Sequence, residues 1–243
     1  MSSTSTKHNL FTFKRFSLSH SHSAMKIGTD GVLLGSWAMA DGGEKGHILD
    51  VGCGCGLTSL MIAQRFPSHK ITGIDIDDGA IHDARENVRN SPWSDRVEIV
   101  EGDFFHFNPS VKYDMILSNP PFFSADVHSP TASRDAARSA LSFPIETFAS
   151  RCHDILSPAG SISIIYPYTE KERIIYSFYS NGLYLTKVCY VKDNPSSSII
   201  RVMMSFSHNA CNSPLEEHLT IREDEKNWSE DYKKLTRDFH PQL

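Results

Sequence analysis

The sequence predicts an α/β protein: a Rossmann-like, doubly wound, seven-stranded sheet, mostly parallel, with an antiparallel C-terminal hairpin. Three observations lead there. Short β-branched runs alternate with stretches of helical spacing from about residue 47 onward, the connections between them are short, and two long apolar runs near the C-terminus are only seven residues apart. Alternation with short connections requires parallel strands joined by right-handed crossovers, whereas seven residues cannot hold a crossover helix and make those last two runs an antiparallel pair.

Taken in order, "HILDVG" (47–52), "KITGID" (70–75), "RVEIVEG" (96–102) and "YDMILS" (113–118) read as strands bounded by Gly, Asp or Pro. Helices are expected over 57–66 and 78–90, the second with Asp77 and Asp78 at its first turn, where negative charge suits the helix dipole. A further helix over 143–156 stops at Ser157-Pro158-Ala159-Gly160, ahead of the strand "SISIIY" (161–166) and a helix from about 169 to 180. The hairpin joins 183–191 to 199–206 across "KDNPSSS". Residues 216–243 read as a short strand and a surface helix, and the Ser/Thr-rich first six residues as disordered.

With 243 residues, 40% of them hydrophobic and 22% charged, the chain can bury one sizeable α/β core without staples. Its five cysteines are an odd number without paired spacing, the N-terminus lacks the apolar stretch of a secretory signal, and no apolar run approaches the roughly 20 residues that span a bilayer. The expected location is the cytoplasm. A formal charge of −5 argues against coating nucleic acid by bulk electrostatics. The charge is uneven, however: residues 1–29 hold Lys7, Lys14, Arg15, Lys26 and three histidines with no acid, while residues 216–243 hold eight acids against five bases. Residues 1–24 are therefore read as a basic arm and 25–243 as one domain, with contacts to phosphate expected at the arm.

The strongest chemical motif is "LDVGCGCG" (49–56), an acidic residue in a strand followed by glycines 52, 54 and 56. Glycines there let the backbone turn tightly and approach a ligand beside a helix N-terminus. Leu57 stands where a dinucleotide fingerprint would place its last glycine, which disfavours a nicotinamide cofactor. Asp75 ends the second strand, placed to accept from two ribose hydroxyls, and Asp103 follows the third, within reach of an adenine. A tight strand-to-helix connection is the bland alternative for the glycines alone; acids at the next two strand ends weigh against it.

On these motifs the chain resembles the class I S-adenosylmethionine-dependent methyltransferases, over about residues 25–206. The resemblance implies that Gly52, Cys53, Gly54 and Gly56 hold the methionine part of the cofactor, Asp75 the ribose and Asp103 the adenine. Asp50 would support the loop.

At the end of the fourth strand stands "NPPF" (119–122). An amino group conjugated to a heteroaromatic ring is a poor nucleophile, because its lone pair is delocalised. The Asn119 side-chain oxygen and the Pro120 carbonyl, each accepting one N–H, would direct that lone pair at a methyl sulfonium and stabilise the charge that develops on nitrogen. The prolines fix φ and hold the carbonyl still. Phe122 or Phe123 would stack on the ring of a base swung into the pocket. The tetrapeptide is similar to the (N/D/S)PP(Y/F/W) motif of amino-group methyltransferases acting on adenine N6, guanine N2 or a glutamine amide; alone it is also an ordinary turn.

The segment "MKIGTDGVLLG" (25–35) is similar to the opening motif of the bacterial tRNA1(Val) (adenine-N6)-methyltransferase family. That resemblance implies that Thr29 and Asp30 border the methionine end of the cofactor, and that "SRDAARSAL" (133–141) supplies Arg134 and Arg138 to flanking bases and phosphates. The bland alternatives are Asp30 as a simple helix N-cap and a solvated loop around the arginines. Lys14 and Arg15 are the candidate tRNA contacts of the arm. Cys53 and Cys55 lack the further Cys/His spacing of a zinc site and suit packing.

The leading expectation is methyl transfer from S-adenosylmethionine to N6 of an adenine in tRNA, just 3′ of the anticodon. The partner is tRNA, with no membrane, no metal and no second copy of the chain. Methylation of a protein glutamine amide or of guanine N2 in ribosomal RNA are the rival enzyme readings, and a non-catalytic cofactor- or RNA-binding module is the rival outside enzymes.

Overall fold

A computed structural model of the chain describes residues 10–23, 27–39, 45–120 and 143–240. β1 (Leu10–Thr12) and β2 (Ser17–Ser19) form a small antiparallel ribbon, followed by α1 (Thr29–Trp37). Then come β3 (His47–Val51), α2 (Leu57–Arg65), β4 (Lys70–Asp75), α3 (Asp78–Arg89), β5 (Val97–Glu101) and β6 (Tyr113–Ser118). The second half holds α4 (Ile145–Ile155), β7 (Leu156–Pro167), α5 (Lys171–Tyr179), β8 (Tyr184–Lys192), β9 (Ile199–Ser207), β10 (Leu215–Thr220) and α6 (Glu230–Thr236).

Eight of these strands make one sheet in the order β10-β8-β9-β7-β6-β3-β4-β5. β3 pairs parallel with both β4 and β6, so the chain leaves β3 toward one edge and later returns through β6 to build the other. A crevice therefore opens at the carboxyl ends of β3 and β6, the place where doubly wound sheets bind ligands. β9 runs antiparallel to β7 and β8, as the seven-residue spacer requires. The seven expected sheet strands are all present, and the short strand expected after residue 216 joins the sheet as an eighth, β10, parallel to β8. Its sequence, LEEHLT, buries only Leu219, so it carries little of the apolar alternation by which a strand is recognised. Glu216 and Glu217 also blunt it as an edge. At β7 the ladder starts with Tyr113 opposite Leu156 and resumes with Met115 opposite Ser161, so the Ser-Pro-Ala-Gly stop (157–160) loops out within the strand.

One sheet face packs α1, α2, α3 and α6 and the other α4 and α5, whose Phe178 stacks on Phe206 at 4.1 Å. α1 is buried from Gly31 to Trp37 because it is wedged between sheet and α2. Its two glycines make that possible: a Cβ would lie 2.9 Å from Leu57 Cδ2 at Gly31 and 2.8 Å from Met61 Sδ at Gly35.

The expected arm packs from Phe13 onward, while residues 1–9, the six expected to be disordered among them, lie outside those described. Phe13, Phe16 and Leu18 are buried, with Phe16 edge-on to Trp93 at 5.5 Å. The strip then climbs α3. Asn87 accepts from Ser19 N–H at 2.8 Å and donates to its carbonyl at 2.7 Å, and Asp83 accepts from the His22 ring, both the His22 and Ser23 N–H groups, and the Ser23 hydroxyl. Burial alone would raise the Asp83 carboxyl; those bonds outweigh it and bring it down to about 2.

Candidate active site

The glycine loop leaves β3 with φ of 69°, 56° and 84° at residues 52, 54 and 56, left-handed values that favour glycine. Gly52 and Cys53 N–H both donate to the Ile74 carbonyl, at 2.8 and 3.1 Å, which ties the loop to the end of β4. Gly54 N–H donates to Asp75 Oδ2 at 2.8 Å. A Cβ on Gly52 or Gly54 would meet nothing within 4 Å, so bare backbone faces the open crevice. Asp75 also accepts from Asp77 N–H at 3.0 Å, and Asp77 caps α3 by accepting from Ala80 N–H at 2.7 Å.

Asp50 lies beneath the loop and is buried, accepting from the Ser59 hydroxyl at 2.6 Å. Burial pushes its pKa up to about 7; the Ser59 hydrogen bond pulls against this and the charge of Asp75 adds to it. Asp103, beyond β5, accepts from Phe105 N–H at 2.9 Å and pairs with His106 Nδ1 at 2.7 Å. Ile76, directly after Asp75, is 70% exposed and offers an apolar surface on this side of the crevice. Sequence reasoning passed over it, although an isoleucine amid the acids of "DIDD" is the visible signal.

Across the crevice, the Ser118 hydroxyl donates to the Val51 carbonyl at 2.8 Å and locks the ends of β6 and β3 together. Asn119 follows. Its Oδ1 is buried without a hydrogen-bond partner among the described residues, an acceptor that a ligand N–H would satisfy. Pro120 is buried beside it. The first turn of α1 packs here: a Cβ on Gly31 would lie 3.8 Å from Asn119 Nδ2. Thr29 in that turn is exposed. Asp30 is not the N-cap expected as its bland role: Gly28 holds that position, and Asp30 Oδ2 instead accepts from Arg201 Nε at 2.9 Å. Arg201, a lone base within the apolar run of β9, went unnoticed in the sequence because nothing local marks it.

Thus Asn119, the glycine loop, Asp75 and the first turn of α1 come together, with Asp103 at the β5 end. Lys14 and Arg15 do not join them. They lie at the far end of α2, where Lys14 Nζ donates to the Arg237 carbonyl and Arg15 sits 5.6 Å from the Trp93 ring centroid. Phe122, Phe123, Arg134 and Arg138 lie outside the described residues. Cys53 and Cys55 are packed in the core, where burial pushes the Cys55 thiol up to about 11. His22, His82 and Asp83 bring ligand atoms within 4.8 Å of one another, but the Asp83 oxygens are committed to the hydrogen bonds that hold residues 22–23. None of the helices described is long and apolar enough to cross a membrane.

Comparison with known proteins agrees with this geometry. The methyltransferase small domain family matches residues 12–143. The tRNA1(Val) (adenine(37)-N6)-methyltransferase of Vibrio campbellii is 36% identical over 230 residues, 95% of each chain. That of Bacteroides thetaiotaomicron is 37% identical over 236 residues, 96% of this chain and 98% of its own. Among solved structures, a predicted O-methyltransferase from Agrobacterium tumefaciens superposes with a TM-score of 0.67, covering 86% of this chain and 96% of that one at 17% identity, a likeness of fold. With the glycine loop, Asp75 and the Asn-Pro pair on one crevice, the chain belongs to the tRNA1(Val) (adenine(37)-N6)-methyltransferase family of S-adenosylmethionine-dependent enzymes.

Proposed function

We propose that this protein methylates N6 of the adenine 3′ of the anticodon, position 37, in tRNA1(Val). The observation that carries the proposal is the unpartnered, buried Asn119 Oδ1 at the crevice between β3 and β6. Bound S-adenosylmethionine supplies an electrophilic methyl group. Gly52 and Gly54 leave space for its methionine part, Asp75 retains lone pairs for ribose hydroxyls, and Ile76 and Asp103 flank the adenine side. Asn119 Oδ1 and the Pro120 carbonyl each accept one N–H of the target amino group, so its lone pair points across the crevice. Asn119 is neutral and takes no proton. Phe122 and Phe123 are assigned to stacking on the flipped base, and Arg134 and Arg138 to its neighbours. A tRNA substrate and five unpaired thiols support a cytoplasmic location.

Labelled methyl transfer to unmodified tRNA, read by nucleoside mass spectrometry, tests this. Asn119→Ala is expected to bind S-adenosylmethionine as the wild type does while losing about 10²–10³ in turnover. Label found only in a glutamine amide or in ribosomal RNA would replace the tRNA reading, and an Asn119→Ala variant with full turnover would end the catalytic one.

A further inference from the structure

We propose that Arg201 is a positioning residue for methyl transfer: by pairing with Asp30 it holds the first turn of α1 against Asn119. The inference rests on the methyltransferase reading above. Arg201 stands at the end of the sheet where the chemistry occurs, opposite Pro167 on β7 and Val191 on β8, two strands away from β6. Its Nε donates to Asp30 Oδ2 at 2.9 Å while its Nη1 donates to the Ile200 carbonyl at 3.1 Å. The planar guanidinium is thereby held at two points, which a lysine ammonium could not reproduce with the same direction.

The turn it anchors is otherwise weakly closed. Its N-cap is Gly28, with no side-chain capping bond, and the opening Val32 N–H to Gly28 carbonyl contact is stretched to 3.5 Å. Asp30 precedes Gly31, whose missing Cβ lets the helix lie against Leu57 at the start of α2, with Asn119 Nδ2 alongside at ordinary contact distance. A mechanical path therefore runs from β9, through Arg201 and Asp30, to the residue that orients the amino group. A surface ion pair of this exposure ordinarily has little effect beyond a small change in stability. A positioning pair predicts a loss of turnover in a folded enzyme, because catalysis is far more sensitive to small displacements than stability is.

The test compares the full-length wild type with Arg201→Ala, Arg201→Lys, Asp30→Asn and the Asp30→Asn/Arg201→Ala double variant. It measures kcat and KM for tRNA and for S-adenosylmethionine, with a melting curve for each. Arg201→Ala is expected to lose about ten-fold or more in kcat with KM for tRNA little changed and a melting temperature within a few degrees of wild type. Arg201→Lys should recover part of the loss, and the double variant should be no slower than the slower single one. The proposal is overturned if Arg201→Ala turns over at the wild-type rate, if its loss only tracks unfolded protein, or if the two substitutions act independently. A wild type that methylates no tRNA would instead overturn the reading on which the proposal rests.

Discussion

Asp50 shows how one buried carboxyl can couple the cofactor loop to pH. The folded state holds its pKa near 7, whereas the unfolded chain has lost that proton by about pH 4. Between those values the folded state binds more protons, so this group's contribution to stability falls as pH rises through the window and is constant above it. Each unit of the window corresponds to about 1.4 kcal/mol. Asn can still accept from the Ser59 hydroxyl but never ionises. Relative to wild type, Asp50→Asn is therefore expected to gain stability from pH 5 to pH 7 and to show a constant difference above that. Denaturant midpoints of both proteins at several pH values check this, and parallel pH profiles would exclude a raised Asp50 pKa.

At the scale of elements, the α1–α2 contact depends on an absence of side chains. A methyl group on Gly35 would lie 2.8 Å from Met61 Sδ and 3.1 Å from its Cβ, so a shift of the Sδ end alone does not relieve it. Gly35→Ala is expected to cost about 1–3 kcal/mol, read from chemical denaturation, despite the better helix propensity of alanine. A gain in stability would mean that α1 stands further from α2. The same helix shows which parts of the structure were legible beforehand. It was anticipated only through the alternative of Asp30 as a helix N-cap, whereas β3 to β6 followed from β-branched runs that end in Gly, Asp or Pro, a local signal. The role of Asp30 did not follow, since its partner lies 171 residues away and only the return of β9 brings the two together. Likewise the short strand expected after residue 216 gave no sign of its neighbour, because the backbone ladder that joins β10 to β8 leaves no apolar pattern. The glycine loop, Asp75 and Asn119 were readable because each sits at a strand end, where a parallel sheet must bring its ligands together.

For the whole molecule, the basic arm illustrates a limit of charge counting. Lys14 and Arg15 precede the site closely in sequence, yet the strip between them and α1 runs the length of α3, from Trp93 up to Gly79. They lie at the end of the sheet opposite Asn119, beside the last turn of α2. A tRNA is large enough to reach both ends, and with a net charge of −5 the protein has little other long-range attraction to offer it. Lys14→Glu with Arg15→Glu is expected to leave single-turnover rates on bound tRNA unchanged and to flatten the dependence of log Kd on log salt by about 2. Equilibrium binding over a salt series measures it, and an unchanged slope would remove this end from the interface.

The same strip has a consequence for how the enzyme comes into being. Lys14 N–H bonds to the Phe239 carbonyl at 2.9 Å, its ammonium reaches the Arg237 carbonyl, and Gln64 at the base of α2 donates to the Asp238 carbonyl. Beside the packing of Phe16 on Trp93, the segment leading into α1 thus gains part of its lower anchor from residues that leave the ribosome more than two hundred positions later. A growing chain can lay down the central strands, and the α3 contacts of this strip, before the partners of Lys14 have been made.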